Sequence, residues 1–362
     1  MSGLVLSNNI VVLFLKGAVS LANLAMNCSA PDTGNAEVLE KFGTEEQKQK
    51  YLLPLLDGEI RSCFAMTEPG VASSDATNIS TTVIKQPNGN YLVNGHKFYI
   101  SGAIRPECKF AILLGKSRND GPKHLRHTMC IIPMDAPGVK VIRAMQVFGH
   151  PHDHAEILFS NVEILSNQII LGEGRGFEIA QGRLGPGRIH HAMRTIGVAE
   201  LALKAMVHRA KNRRAFGSLL SEKEGIRRAV AEARLEITQL RQLCYLAAVV
   251  ADEKGFKAAR KYIAMIKVAA PRAALKIVDE AIQIHGAHGL SQDSRLPEMY
   301  MGLRTLRVAD GPDSVHLASI GDLEFSAASD FMGAIVSGEN KNIDKYGMFE
   351  GVELKEKPRS RH

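Results

Sequence analysis

Tryptophan is absent from all 362 residues, and aromatic residues of any kind make up only 6%. A flat ring bound by this protein therefore cannot stack on tryptophan. Cysteine is scarce and odd in number. Cys28, Cys63, Cys108, Cys130 and Cys244 are widely scattered, with no CxxC pair. That argues against a disulfide framework and a zinc cage, and it fits a reducing interior. No apolar run goes uninterrupted for long. NNIVVLFLKGAVSLANLAM is broken by Lys16, is short for a membrane span, and lacks the basic flank of a signal peptide. A buried helix is the expectation there. An Arg-rich transit peptide, an internal repeat and a low-complexity tract are all missing from the pattern.

What is present is ordinary for a large soluble fold. Hydrophobic residues are 45% and charged residues 23%, enough for a core with more than one layer or domain. The net charge of +7 suits an anionic ligand such as a nucleotide or a CoA thioester, and would also suit nucleic acid. The basic residues are spread through helical segments, which favours solvated helix faces over a nucleic-acid stripe.

The chain reads as helix, then strand, then helix. Residues 1–63 are helical, and GTEEQKQKYLLPLLDG carries a capping box, Thr44 with Gln47. Residues 64–172 change period. TTVIKQ, PNGN, YLV, NG and HKFYIS read as short strands joined by tight turns, and FAILLGK, TMCIIPM, VKVIRAM and AEILFSNVEI continue them. A small β-barrel or sandwich is expected. Residues 173–335 return to helical spacing. Val230, Ala233, Ile237, Leu240, Cys244 and Ala247 form one buried stripe. Ile263, Ile266, Ala270, Ile277, Ala281 and Ile284 form another, interrupted by Pro271, which should kink or restart the helix. Such helices form a four-helix-type bundle. Residues 336–362 are a polar tail.

Several stretches could carry chemistry. FAMTEPGVASSDATN (64–78) offers Thr67, Ser73 and Ser74 hydroxyls around a Gly70 backbone, able to bind a carbonyl-rich ring or a pyrophosphate. Read alone, it is more often an ordinary Ser/Asp turn. KFYIS (97–101) places Tyr99 and Ser101 on one strand face, a seat for a flat ring, though a cross-strand aromatic pair is commoner. In RRAFGSLL (213–220), Arg213 could meet a phosphate, or could simply balance a helix C-terminus. GHPHDH (149–154) has no partner carboxylate at a metal spacing, and no metal is expected. Asp310, in ADGPDSVH, is either a solvated cap or a base held against a substrate.

Taken together, these motifs are more specific than any one alone. TEPG, NGHKFYIS, RRAFG, AIQIHGAHG and DGP, in this order and spacing, resemble the acyl-CoA dehydrogenase family over roughly residues 28–325. TEPGVASSDATN, RLGPGRIHH and ADGPDSVH look most like its branch of members ten and eleven, whose longer members also carry a kinase-like domain. Relatives have a longer N-terminal helical domain, so the resemblance also suggests an N-terminally shortened form.

The resemblance implies an α+β fold of N-terminal helices, a central β-barrel and a helical bundle. It implies FAD as cofactor, an acyl-CoA substrate and dehydrogenation to the trans-2-enoyl-CoA in β-oxidation, on long, branched or hydroxylated acyl chains. It further implies an electron-transfer flavoprotein as electron acceptor, a homodimer or homotetramer, and a mitochondrial or peroxisomal location. An acyl-CoA oxidase and a flavin-bearing DNA-binding relative are the alternatives.

Residue by residue, Phe64, Ala65, Met66 and Thr67 match contacts to the flavin pyrimidine. Ser73 and Ser74 follow them, Ser74 toward the pyrophosphate and the acyl-CoA. Tyr99, Ile100 and Ser101 match the strand that shields the flavin and reaches its N5. Arg213 and Phe216 match contacts to the FAD of a neighbouring subunit, and Gln283 and Gly286 its adenosine side. Pro312, Asp313 and Ser314 match further cofactor contacts. Gly185, Pro186, Gly187, Arg188 and Gly311 match the lining of the thioester site. Asp310 falls where many relatives place a catalytic Glu, which makes it the expected base. Burial against the apolar acyl chain and the flavin should raise its pKa toward the working pH.

Overall fold

The computed structural model describes residues 29–148 and 150–336. The expected N-terminal buried helix, Cys28 and the polar tail lie outside the described residues, apart from the last residue of the helix before that tail.

The N-terminal part is three short helices, α1 (Asp32–Phe42), α2 (Glu45–Gln47) and α3 (Leu53–Asp57), with a π-type turn, Lys48–Leu52, between the last two. The Thr44–Gln47 capping box is present, with Gln47 N donating to Thr44 Oγ1 and Thr44 N donating to Gln47 Oε1. Gly58, at φ 78°, ends α3 in the left-handed conformation that glycine adopts without strain.

Seven strands follow: β1 (Arg61–Ala65), β2 (Thr82–Lys85), β3 (Tyr91–Ser101), β4 (Cys108–Lys116), β5 (His127–Pro133), β6 (Val139–Val147) and β7 (His150–Ile164). They form one sheet in the order β1-β4-β2-β3-β7-β6, with β5 on β4. β4 and β5 are buried on both faces, which explains their unbroken apolar runs. Ala111 and Leu113 face the sheet's own core, while Phe110, Ile112 and Leu114 face the helices. Truncating Phe110, fully buried, to Ala should cost ~3–5 kcal/mol.

Two sequence expectations need correction here. The sheet does not close into a barrel. The outer side of β5 is taken by the next connection, where Ile170 N donates to Met129 O and Gln168 Nε2 to Ile131 O. β5 therefore pairs with no further strand among the described residues. Asn94-Gly95 is not a turn either. β3 runs straight through it, with a register shift against β7 between Val93 and Gly95. A Cβ at Gly95 would come within 2.2 Å of Thr81 Oγ1, so the glycine is there for a close crossing of chains.

The C-terminal part is helical. It comprises α4 (Gly176–Asn212), the small β8–β9 hairpin (Arg214–Ala215, Ser218–Leu219), α5 (Glu224–His285), α6 (Ala287–Leu290), α7 (Leu296–Thr305) and α8 (Asp313–Val336). Both expected stripes lie in its core. The helical path of α5 breaks at Gly255 (φ 82°) rather than at Pro271, around which helical dihedrals continue. The two halves of α5 with α4 and α8 make the four long helices of the bundle.

Candidate functional site

A cleft of about 1410 Å³ lies where the sheet, α1, the middle of α4 and the loop before α8 meet. One wall is the segment after β1. Its backbone is fixed from beneath by a buried ion pair that sequence reasoning missed. Lys97 Nζ, fully buried, donates to Met66 O, Leu114 O and Glu68 Oε1 at 2.8–2.9 Å. Glu68 also accepts from Ser80 N and Oγ and from Thr81 N. Burial pulls Lys97 down to about 8 against the opposing pull of Glu68. Burial likewise opposes the charge on Glu68, but Lys97 and these donors hold it at about 2. The pair therefore stays charged at neutral pH. Above it, Thr67 Oγ1 donates to Phe98 O, and the Glu68 amide donates to Ser73 Oγ.

Next to this wall, β3 bulges between Lys97 and Ile100 against β7. Tyr99 sits at the bulge with φ 54° and is 50% exposed. A tyrosine at positive φ is strained, and such strain collects at ligand sites. Ser101 Oγ meets His154 Nδ1 at 2.8 Å. Tyr99, Ser101 and His154 all line the cleft.

The opposite wall belongs to α4 and the 306–316 loop. Asp310 (φ 56°) projects toward α4. Its Oδ2 meets His191 Nε2 at 3.2 Å, and its side chain is 20% exposed. Its carbonyl oxygen accepts from Arg188 Nε (3.1 Å) and meets His316 Nε2 (3.2 Å). Lys267, buried in an otherwise apolar face of α5, donates from Nζ to Leu306 O and Gly311 O at 2.5 and 3.3 Å. Asp313 anchors the loop from outside through Arg272 and Arg307. The loop is therefore clamped from three helices.

The protein's own groups act on the Asp310 carboxyl in the opposite sense to the rise expected from the acyl chain and the flavin. Burial does push its carboxyl up. The His191 hydrogen bond and the charges of Arg183 and Arg188 outweigh that and hold it well below the usual carboxylate range. Glu37, at the α1 side of the cleft, goes the other way. Burial raises it to about 7, with Arg183 pulling back. The arrangement is an ionised, clamped carboxylate facing a cleft whose far wall offers an aromatic face and hydroxyls. It can take a proton from a weakly acidic C–H placed between the walls.

The acyl-CoA dehydrogenase middle domain matches residues 63–162, and the family's C-terminal domain matches residues 174–323. FadE2 of Mycobacterium tuberculosis is 48% identical over 88% of this chain and 79% of its own length. This chain belongs to the acyl-CoA dehydrogenase family. Human acyl-CoA dehydrogenase family member 11 is 53% identical over 82% of this chain, which spans only 39% of that protein's length. A Mycobacterium abscessus structure assigned to the acyl-CoA dehydrogenases is 44% identical with a TM-score of 0.87, over 90% of this chain and 80% of that one. Butyryl-CoA dehydrogenase of Megasphaera elsdenii is 26% identical with a TM-score of 0.79, over 90% and 83% of the two chains.

Within this acyl-CoA dehydrogenase fold, the residues singled out from sequence divide into three groups. Phe64, Met66, Thr67, Ser73, Ser74, Tyr99 and Ser101 line the cleft, as do Gly187, Arg188, Asp310, Gly311 and Pro312 on the other side. Ala65 and Ile100 turn into the core of the sheet instead, and Asp313 is committed to its two arginines. Gly185, Pro186 and Ser314 are not among the lining residues. Gly185 faces Phe256, whose ring would lie 3.0 Å from an added Cβ.

Arg213, Phe216, Gln283 and Gly286 form the third group. Arg209 Nη2 reaches His285 O, so the end of α4 and the end of α5 share one pole of the bundle. α4 separates Arg188 from that pole by roughly 36 Å at a rise of ~1.5 Å per residue. These four residues do not meet Asp310 within one chain.

Sequence reasoning also passed over His191, Lys267, His316 and Glu37. Signals pointed to two of them. His191 follows Gly187 by four residues, so both project from one face of α4. Lys267 is a lone charge inside the Ile263–Ala270 stripe. Among the described residues, no group of His, Cys, Asp and Glu is arranged to hold a metal, and no helix is long and apolar enough to cross a membrane.

Proposed function

We propose that this protein is an FAD-dependent acyl-CoA dehydrogenase with Asp310 as its base. The observation that carries the reading is the ionised Asp310 carboxylate, clamped in a cleft that Tyr99, Ser101, Phe64, Met66 and Thr67 also line. The residues present fit a flavin. A half-exposed aromatic, flanking hydroxyls and a backbone segment stiffened by Lys97–Glu68 suit one face and the polar edge of a flat heteroaromatic ring. The volume exceeds the ~300–1,000 Å³ of a drug-sized ligand, leaving room for an acyl thioester beside the ring. Bound there, FAD would accept the β-hydrogen as hydride.

The chain's own residues do the rest. Asp310 takes the α-proton, which burial between an acyl chain and the cleft wall makes a transfer in low dielectric. Arg188, His316 and Lys267 fix the loop so that the carboxylate does not swing away. Gly187 leaves open the space beside the carboxylate. Phe64, Met66, Thr67 and Ser74 would hold the flavin and the near part of the acyl-CoA. Arg213, Phe216, Gln283 and Gly286 would serve the FAD of a second subunit, which makes the active form a dimer or tetramer. Phe216, 99% exposed, and Phe325, 80% exposed, support self-association. Electrons would leave to an electron-transfer flavoprotein, in a mitochondrion or peroxisome, as family membership suggests.

Anaerobic titration of the FAD-loaded protein with straight, branched and hydroxylated acyl-CoAs tests the reading. Bleaching of the flavin absorbance by at least one of them is expected. If none bleaches it, this function is wrong.

A further inference from the structure

His191 stands between two groups that together leave it one tautomer. Its Nδ1 lies 3.0 Å from Arg194 Nη2. A guanidinium only donates, so Nδ1 must be the acceptor and carry no proton. Its Nε2 lies 3.2 Å from Asp310 Oδ2. An ionised carboxylate only accepts, so Nε2 must carry the proton. Both contacts fit the same neutral form, Nε2–H; the Arg194 contact works against an imidazolium, which would put an N–H against the guanidinium, while the Asp310 carboxylate pulls the other way.

We propose that His191 is a positioning residue for the base, held by Arg194 as a neutral N–H donor that fixes Asp310 by one oxygen. This inference rests on the reading of Asp310 as base and deepens it. With Oδ2 tied to His191, Oδ1 is the oxygen that takes the α-proton, and rotation of the carboxylate is stopped. The C–H electron pair stays with the acyl group as the enolate. The arrangement is local to α4: Gly187, His191 and Arg194 lie one turn apart on one face.

The surroundings favour the same state. Burial lowers the His191 pKa, with Arg194 and Lys267 adding to it and only Asp310 opposing. The charged or titratable groups around the pair are Arg183, Arg188 and Arg194 on α4, Lys267 on α5 and His316 on α8. All but His316 are cationic, and burial lowers His316 to about 4, so it is neutral at working pH. A second positive charge on His191 would be unfavourable there. The donor therefore stays neutral through the working pH range, and a neutral donor holds the carboxylate without neutralising it.

The test isolates proton removal from hydride transfer. A 3-thia-acyl-CoA has sulfur at the β position and no β-hydrogen to lose. In deuterated solvent, transfer of its α-proton to Asp310 and return of a deuteron to the carbon labels the α position, which mass spectrometry reads. At saturating thioester, the FAD-loaded His191→Ala protein should exchange about tenfold or more slowly than the parent. Its rate should also fall away at a higher pH than the parent's, because Asp310 has lost the donor that favours its charge. His191→Gln places an amide N–H near the same point and should recover to within about threefold, with a flat profile. Arg194→Met frees Nδ1 to take a second proton, and its rate should likewise fall away at a higher pH than the parent's.

If Ala does not fold, His191→Phe fills the ring's space without an N–H and should behave as Ala is expected to. Solid-state nitrogen-15 spectra of the unloaded protein, assigned by difference against His191→Gln, should show a protonated Nε2 and a bare Nδ1. Several outcomes would overturn the proposal. One is parent rate and profile in the Ala or Phe variant. Another is a folded Gln variant as slow as Ala, and a third is a protonated Nδ1. A parent that exchanges no α-proton brings down the assignment of Asp310 itself.

Discussion

Gly187 lies beside Asp310 on the same wall of the cleft, and a Cβ at 187 would stand 3.4 Å from the carboxylate Oδ2. That is ordinary contact, so alanine fits, while anything longer enters the space beside the base. Gly187→Ala should leave stability unchanged or raise it by ~0.5–1 kcal/mol, because a helix-interior glycine is replaced. Gly187→Leu should keep FAD but lose bleaching by acyl-CoA. Thermal melts and flavin titrations of the two variants check this. A Leu variant that is reduced as fast as the parent would show that the substrate does not use this space.

The Glu68–Lys97 pair should be indispensable to the wall it supports. Glu68→Gln leaves a buried ammonium without its carboxylate and should cost ~3–5 kcal/mol. The double variant with Lys97→Met removes both charges and should be more stable than Glu68→Gln alone. Urea unfolding of the three proteins measures this, and a Glu68→Gln loss below about 1 kcal/mol would mean that Lys97 finds another partner.

Acid should weaken the clamp around Asp310 before it protonates Asp310 itself. His316 is pushed from 6.5 to about 4, first by burial and then by Arg188 and Lys267. Between those values the unfolded chain binds more protons than the folded one, so stability falls as pH drops below about 6.5 and this loss is complete below about 4. His316→Asn keeps a donor for the Asp310 carbonyl without the titration. Its urea midpoint should change less between pH 7 and 5 than the parent's, and an equal slope would assign the acid loss elsewhere.

Arg213 should act across a subunit boundary. It caps α4 at the pole of the bundle away from Asp310. Arg213→Ala should weaken FAD retention by ~1.5–3 kcal/mol if it makes a charge-assisted bond, with the oligomer intact. Equilibrium dialysis against FAD, alongside light scattering, measures both. Unchanged FAD affinity in an intact oligomer would remove Arg213 from the cofactor site.

Much of this architecture is local enough to read from the residues. The Thr44–Gln47 box, the apolar runs of β4 and β5 and the Ile237/Leu240/Cys244 stripe each follow from a period or a cap. What escaped depends on distant chain. Asn94-Gly95 has a turn's composition, yet the crossing of Thr81 turns it into a bulge. Pro271 sits in a helix whose break falls at Gly255. The pull of the protein's own groups on the Asp310 carboxyl was not legible, because Arg183, Arg188 and His191 come from a helix more than a hundred residues earlier. Lys267 is legible as an oddity in an apolar stripe, but the two carbonyls it holds are not.

The central claim is that Asp310 removes the α-proton, and stopped-flow reduction of the FAD-loaded Asp310→Asn protein tests it most directly. The amide is isosteric, so FAD and acyl-CoA should still bind nearly as in the parent. Flavin reduction should slow by roughly 10²–10⁴-fold or more, the range for loss of a general base. An Asp310→Asn protein that reduces its flavin at the parent rate would contradict the account.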